Sequence, residues 1–153
     1  MNNFLKISLV VICMNVPLKA SSQEPNKTNK LSCSARHLDT NEEVKVKTES
    51  GLSINNKVAT AQWPLGYPTI AIDDSAFTKL PGNAKQFIYY HECAHLALRT
   101  TDEKEADCES INTMIKKHGA TKHDIRILVK TLAKEFGLSP RWTNLLKCES
   151  FPQ

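Results

Sequence analysis

Apolar residues fall into three rhythms along this chain. The first is a continuous run of ten at residues 7–16, ISLVVICMNV, preceded by Lys6 and followed by the small residues Ala20, Ser21 and Ser22. A spanning helix needs roughly 20 apolar residues. A short basic start, a short apolar stretch and a small-residue cleavage region make a secretory signal peptide over residues 1–20. Residues 21–30, SSQEPNKTNK, are polar and read as a flexible tail.

The second rhythm is alternation. Val44, Val46 and Thr48 interleave with Lys45 and Lys47, and a weaker alternation covers residues 52–61. Thr69, Ile70, Ala71 and Ile72 form a short β-rich run that Asp73 and Asp74 stop. Between them Trp63-Pro64 and Gly66-Tyr67-Pro68 signal turns. Ile70, Ala71 and Ile72 read equally as an edge strand able to pair with an extended peptide or as an ordinary strand over the core.

The third rhythm is helical. Phe87, Ile88, His91, Ala94, His95 and Leu98 recur at three and four, and Thr100-Thr101-Asp102 ends the pattern. Asp102 with Glu105 predicts the N-cap of a second helix running to about His118, with Gly119 as its stop. Thr121 opens a third helix on the stripe Ile125, Leu128, Val129, Leu132 and Phe136, closed by Gly137. Ser139-Pro140 opens a short last one. Strands followed by helices predict an α+β fold for residues 31–153, one domain with a short sheet and then a helical bundle.

Composition changes the picture mainly through the cysteines. The 153 residues carry a formal charge of +4, and loss of Lys6 and Lys19 with the signal takes this to +2. No run of like charges marks a nucleic-acid partner. After Cys13, inside the apolar run, come Cys33, Cys93, Cys108 and Cys148. An even number in an exported chain, periplasmic or secreted, predicts two disulfides. Three pairings are possible.

Candidate chemistry is concentrated at residues 91–95, His91-Glu92-Cys93-Ala94-His95, an H-E-x-x-H pattern. On a helix, i and i+4 share one face a turn apart, so both imidazoles can reach a single zinc ion. Glu92, rotated about 100° from His91, can reach a water on that metal without being a ligand. A catalytic zinc usually takes three protein ligands and a water. The extended metzincin pattern fails, because Leu98 and Thr101 stand where its glycine and third histidine belong. Downstream, Glu103-Lys104-Glu105-Ala106-Asp107 offers Glu103 as third ligand. Asp107, on the same face, can accept a hydrogen bond from the second ring nitrogen of a liganding histidine. Glu103 also suits the first turn of a helix as an acid facing its dipole, and Asp107 or Asp102 remains an alternative oxygen ligand.

H-E-x-x-H followed by E-x-x-A-D resembles the gluzincin class of zinc metallopeptidases. It is most similar to the small minimal-scaffold forms and to membrane-linked peptidases with an E-x-x-A-D second helix, and Tyr90 before the first motif and Cys108 after the second also resemble small exported bacterial members. The resemblance covers roughly residues 68–114. It implies a zincin-like helix pair holding one zinc, beside a sheet whose edge strand lines a substrate cleft. It implies His91, His95 and Glu103 as ligands, Glu92 as catalytic base acting on a metal-bound water, and peptide or protein substrates. Seven residues separate His95 from Glu103, fewer than in many gluzincins. A helix hairpin can close in two to five.

The remaining candidates are weaker. Cys93 lies about 200° around the helix from both histidines, and Cys108 about 140° from Glu103. Both point away from a metal, and the preferred pairing is Cys93 with Cys108, leaving Cys33 with Cys148. Tyr89, Tyr90, Arg99 and Arg126 are candidates to stabilise an oxyanion. His118 shares the Glu103 stripe but sits about 22 Å along the helix, too far to ligate. His37 and His123 have no assigned place. The alternative function is a zinc-binding or disulfide-stabilised partner-binding domain without turnover, and the intact Glu92 favours an enzyme.

Overall fold

A computed structural model describes residues 31–51, 54 and 57–148. The signal peptide and tail expected at residues 1–30, and the chain after Cys148, lie outside the described residues.

Among the described residues five short strands precede five α-helices. The strands are β1 (Ser34–Arg36), β2 (Glu43–Lys45), β3 (Lys47–Ser50), β4 (Ala59–Gln62) and β5 (Thr69–Ile72). The helices are α1 (Asp74–Phe77), α2 (Gly82–Leu98), α3 (Glu103–His118), α4 (Lys122–Phe136) and α5 (Pro140–Asn144). The architecture is α+β, with two small sheets. β1 and β2 form an antiparallel hairpin, and the second sheet has the order β3-β5-β4, with β3 parallel and β4 antiparallel to β5.

Two strand expectations change. The alternating stretch around residues 44–48 is not one strand. It breaks at Val46, which is buried and donates its N–H to the Cys33 carbonyl, so β2 and β3 serve different sheets. Period two predicts which side chains face inward, and it carries no information about which neighbour each half will pair with. β5 is the central strand, buried along its whole length, so the edge-strand reading of Ile70, Ala71 and Ile72 is replaced by the core reading. The edges fall to β3 and β4, and β4 is the one beside α2.

The helices follow local rules closely. Asp102 Oδ1 accepts from the Glu105 N–H at 2.9 Å and caps α3, and Gly119 at φ +67° lets its last turn close. Thr121 and Asp124 form a full capping box at the head of α4, and the Ser139 side chain caps α5 ahead of Pro140. α2 ends differently. Arg99, at φ +53°, takes the left-handed position usually given to glycine, and its Nη2 donates to the His37 carbonyl and Asn41 Oδ1. That anchorage outside the helix offsets the unfavourable backbone conformation.

α2 packs most extensively on α3. Around that pair lies one core, including Ile70, Leu96, Ile111, Ile125, Leu128, Leu132 and Leu145, each almost wholly excluded from water. Burial of such side chains is worth roughly 1.5–3 kcal/mol each. Apolar packing therefore carries much of the α2–α3 pairing, joined by a buried hydrogen bond from the Ser110 hydroxyl to the Phe87 carbonyl at 2.8 Å.

Two disulfides clamp the pair from outside. Cys33 of the segment before β1 bonds Cys93 of α2, and Cys108 of α3 bonds Cys148 after the last helical turn. Their Cα separations, 6.3 and 4.9 Å, lie in the usual range. This corrects the preferred Cys93–Cys108 pairing. α2 and α3 face each other across the His91–Glu103 side, so residues turned away from that side are turned away from one another. Each cysteine does lie off the metal-facing side of its own helix, and that placement separates the two instead of pairing them.

Candidate metal centre

Helical geometry brings His91 and His95 onto one face of α2, where their rings meet edge to face at 4.6 Å between centroids. The turn between α2 and α3 is short, so Glu103, the first residue of α3, stands directly against them. One donor atom from each of His91, His95 and Glu103 falls within a common 4.8 Å. His91 Nε2 and His95 Nε2 are 3.0 Å apart, Glu103 Oε2 is 3.3 Å from the first, and Oε1 is 3.6 Å from the second.

These distances can be tested against an ion. Bonds of 2.0–2.1 Å in a tetrahedron place ligand atoms about 3.3–3.4 Å from each other; the two nitrogens stand close to that spacing, and each has a different Glu103 oxygen near it, Oε2 for His91 and Oε1 for His95. Tautomers give a second test. The Thr100 carbonyl only accepts, so His95 Nδ1, 2.8 Å away, carries the ring proton. His91 Nδ1 lies 2.9 Å from Asp107 Oδ1. Burial works to raise the Asp107 pKa, but the hydrogen bonds from His91 and Arg141 outweigh it and hold the carboxyl below the usual carboxylate range. Asp107 is therefore an acceptor, and His91 Nδ1 carries its proton. With each Nδ1 so engaged, both Nε2 atoms are the ring nitrogens turned towards one another and towards a carboxylate, and a cation between them can take a lone pair from each, so the donor set fits a divalent metal.

Glu92 leaves this cluster at an angle. Its Oε2 accepts from the Ala61 N–H on β4 at 2.7 Å, which fixes the carboxylate in the wall of the cleft. The cleft has a volume of about 840 Å³ and is lined by all four motif residues, His91, Glu92, His95 and Glu103. One flank is the β4 edge, from Val58 to Ala61 with Trp63. The other is apolar, with Ile88, Leu132, Phe136 and Trp142.

The structure sorts the remaining candidates. Asp107 is 3% exposed and stands behind His91 rather than in the cleft. Asp102 is committed to its cap. Of the four candidates for oxyanion stabilisation, only Arg99 lines the cleft. Tyr89 and Tyr90 are buried, and the Tyr90 hydroxyl pairs with His118 Nε2 at 2.7 Å on the far side of the helix pair. Arg126 is exposed on α4, as is His123. His37 is buried in the β1–β2 turn, where its Nδ1 accepts from the backbone N–H groups of Asp39 and Thr40.

Arg141 of α5 was not anticipated. Its Nε and Nη2 donate to the two Asp107 oxygens, each at 2.7 Å, and Nη2 lies 2.8 Å from Glu103 Oε2. No motif surrounds it, and it is 34 residues from Asp107 in sequence. The available signal was a lone arginine just past a helix cap, in a chain whose paired acids needed a partner.

Among the described residues no helix is long and apolar enough to cross a membrane. No protein-family model matches the chain, and neither does any curated protein or solved structure.

Proposed function

We propose that this chain is an exported, gluzincin-like zinc peptidase in a zincin-like fold. The observation that carries the reading is the convergence of His91 Nε2, His95 Nε2 and a Glu103 oxygen beside an acid, Glu92, that is not part of the triad. A site that only stored a metal has no need of that acid in its cleft.

His91, His95 and Glu103 would hold a zinc ion, which would supply Lewis acidity and lower the pKa of a water towards 7. Each histidine is held by a second partner, Asp107 or Thr100, which fixes its ring and raises its donor strength. Glu92 takes the proton of the attacking water and delivers it to the leaving amine. The Ala61 N–H engages Oε2, so Oε1 is the oxygen left for this proton transfer.

β4 supplies the alignment of the substrate. In an antiparallel pair, alternate residues turn N–H and C=O to the partner strand. Ala61 turns its N–H to Glu92, so Ala59 and the Ala61 carbonyl also face the cleft and can pair with an extended peptide. Two disulfides support export to an oxidising compartment, the periplasm or the medium.

The test uses protein beginning at residue 21. Wild type should carry one zinc per chain and cleave a mixed peptide library in a chelator-sensitive way. Glu92→Gln should keep the zinc and lose at least about 100-fold in rate, and His91→Ala should lose the metal. Full hydrolysis by Glu92→Gln overturns the mechanism.

A further inference from the structure

Arg141 is the one cation in direct contact with both acids of the α3 first turns, Glu103 and Asp107, among the described residues. Its guanidinium spans them. Nε and Nη2 close a two-point bond on Asp107, and the same Nη2 reaches Glu103 Oε2 at 2.8 Å. The arm that delivers the guanidinium is fixed as well. α5 is capped by Ser139, and the chain is tied by Cys148 to Cys108, the residue next to Asp107.

A carboxylate can ligate a metal through one oxygen or two. With Oε2 engaged by a cation, Glu103 has Oε1 left to give. We infer that Arg141 is a positioning residue of the metal centre, restricting Glu103 to one-oxygen ligation and holding Asp107 behind His91, so that a coordination position stays open to substrate. This inference rests on the metal reading above and adds a residue to it. A guanidinium suits this task where an ammonium does not, because its planar fork addresses two carboxylates at fixed angles and a lysine presents a point charge.

The experiment compares wild type, Arg141→Gln and Arg141→Lys, all as full mature chains. Zinc affinity is measured by competition with a chromophoric chelator, and ligation by the visible absorption of cobalt-substituted protein. Both variants should bind zinc 10–100-fold more weakly, the loss typical when a partner of a ligand is removed. Their cobalt bands should weaken and move relative to wild type as Glu103 gains its second oxygen and the coordination number rises. Arg141→Lys keeps the charge and most of the side-chain length, so it guards against misfolding of the glutamine variant. A role confined to stability would lower the melting temperature and leave the cobalt spectrum unchanged. Wild-type affinity and spectrum in Arg141→Lys would overturn the inference while leaving the metal reading intact. Failure of the wild type to bind zinc or cobalt would overturn both.

Discussion

Removing the Cys108–Cys148 bridge is the most quantitative perturbation available. The two disulfides close loops with sequence separations of 60 and 40 residues, and the loops do not overlap. On the chain-entropy relation each restricts the unfolded chain by about 4 kcal/mol at 25 °C. Because the loops are separate in sequence, the two effects add. Together they equal much of the 5–15 kcal/mol that holds a typical domain folded. The variant Cys108→Ala/Cys148→Ala should therefore lose about 2–4 kcal/mol in urea unfolding followed by far-ultraviolet circular dichroism. Removal of both bridges should leave a chain largely unfolded at 37 °C. Connectivity is checked on the same material by proteolysis without reduction, which should yield one fragment pair joining Cys33 to Cys93 and another joining Cys108 to Cys148. A fragment pair joining Cys93 to Cys108, or a loss below about 1 kcal/mol, would refute the reasoning.

Other expectations follow from single contacts. Ala61→Pro removes the N–H that Glu92 accepts, at an edge position where proline is tolerated; hydrolysis should fall sharply while zinc content by elemental analysis stays at wild type. Ile111→Ala opens a cavity at a position with no exposure, and should cost about 2–5 kcal/mol in chemical denaturation. Asp107 is held below the usual carboxylate range, so its contribution to stability is complete above an unfolded pKa of about 3.9 and is lost as pH falls through the lower folded value. Wild type should lose more stability than Asp107→Asn as an acid titration of urea midpoints proceeds below pH 4.

Local signals in the sequence were legible wherever one side chain or one turn decides the outcome. Asp102, Gly119, Thr121, Gly137 and Ser139 mark helix ends through groups within three residues of themselves, and each helix end lies where they put it. The i, i+4 spacing of His91 and His95 likewise determines a shared face once α2 forms. What was not legible depends on distance along the chain. β5 alternates no more distinctly than an edge strand does, and only its two neighbours make it central. The break at Val46 follows from a hydrogen bond to Cys33, thirteen residues earlier. Cys93 and Cys108 carry no mark of their partners. Arg141 reaches the site through the packing of α4 and α5, which no periodicity reports.

The brevity of the turn after α2 has a consequence for how such a site comes into being. His91, His95 and Glu103 belong to one helical hairpin, and Thr100 of the turn itself steadies His95. An ion captured there closes only a small loop, at little entropic expense. Capture can thus precede the docking of distant parts. The groups that come from far away are Ala61 beside Glu92 and Arg141 beside Glu103. On the proposed reading, first capture of an ion would draw on the hairpin alone, while full affinity and turnover would draw on the finished chain.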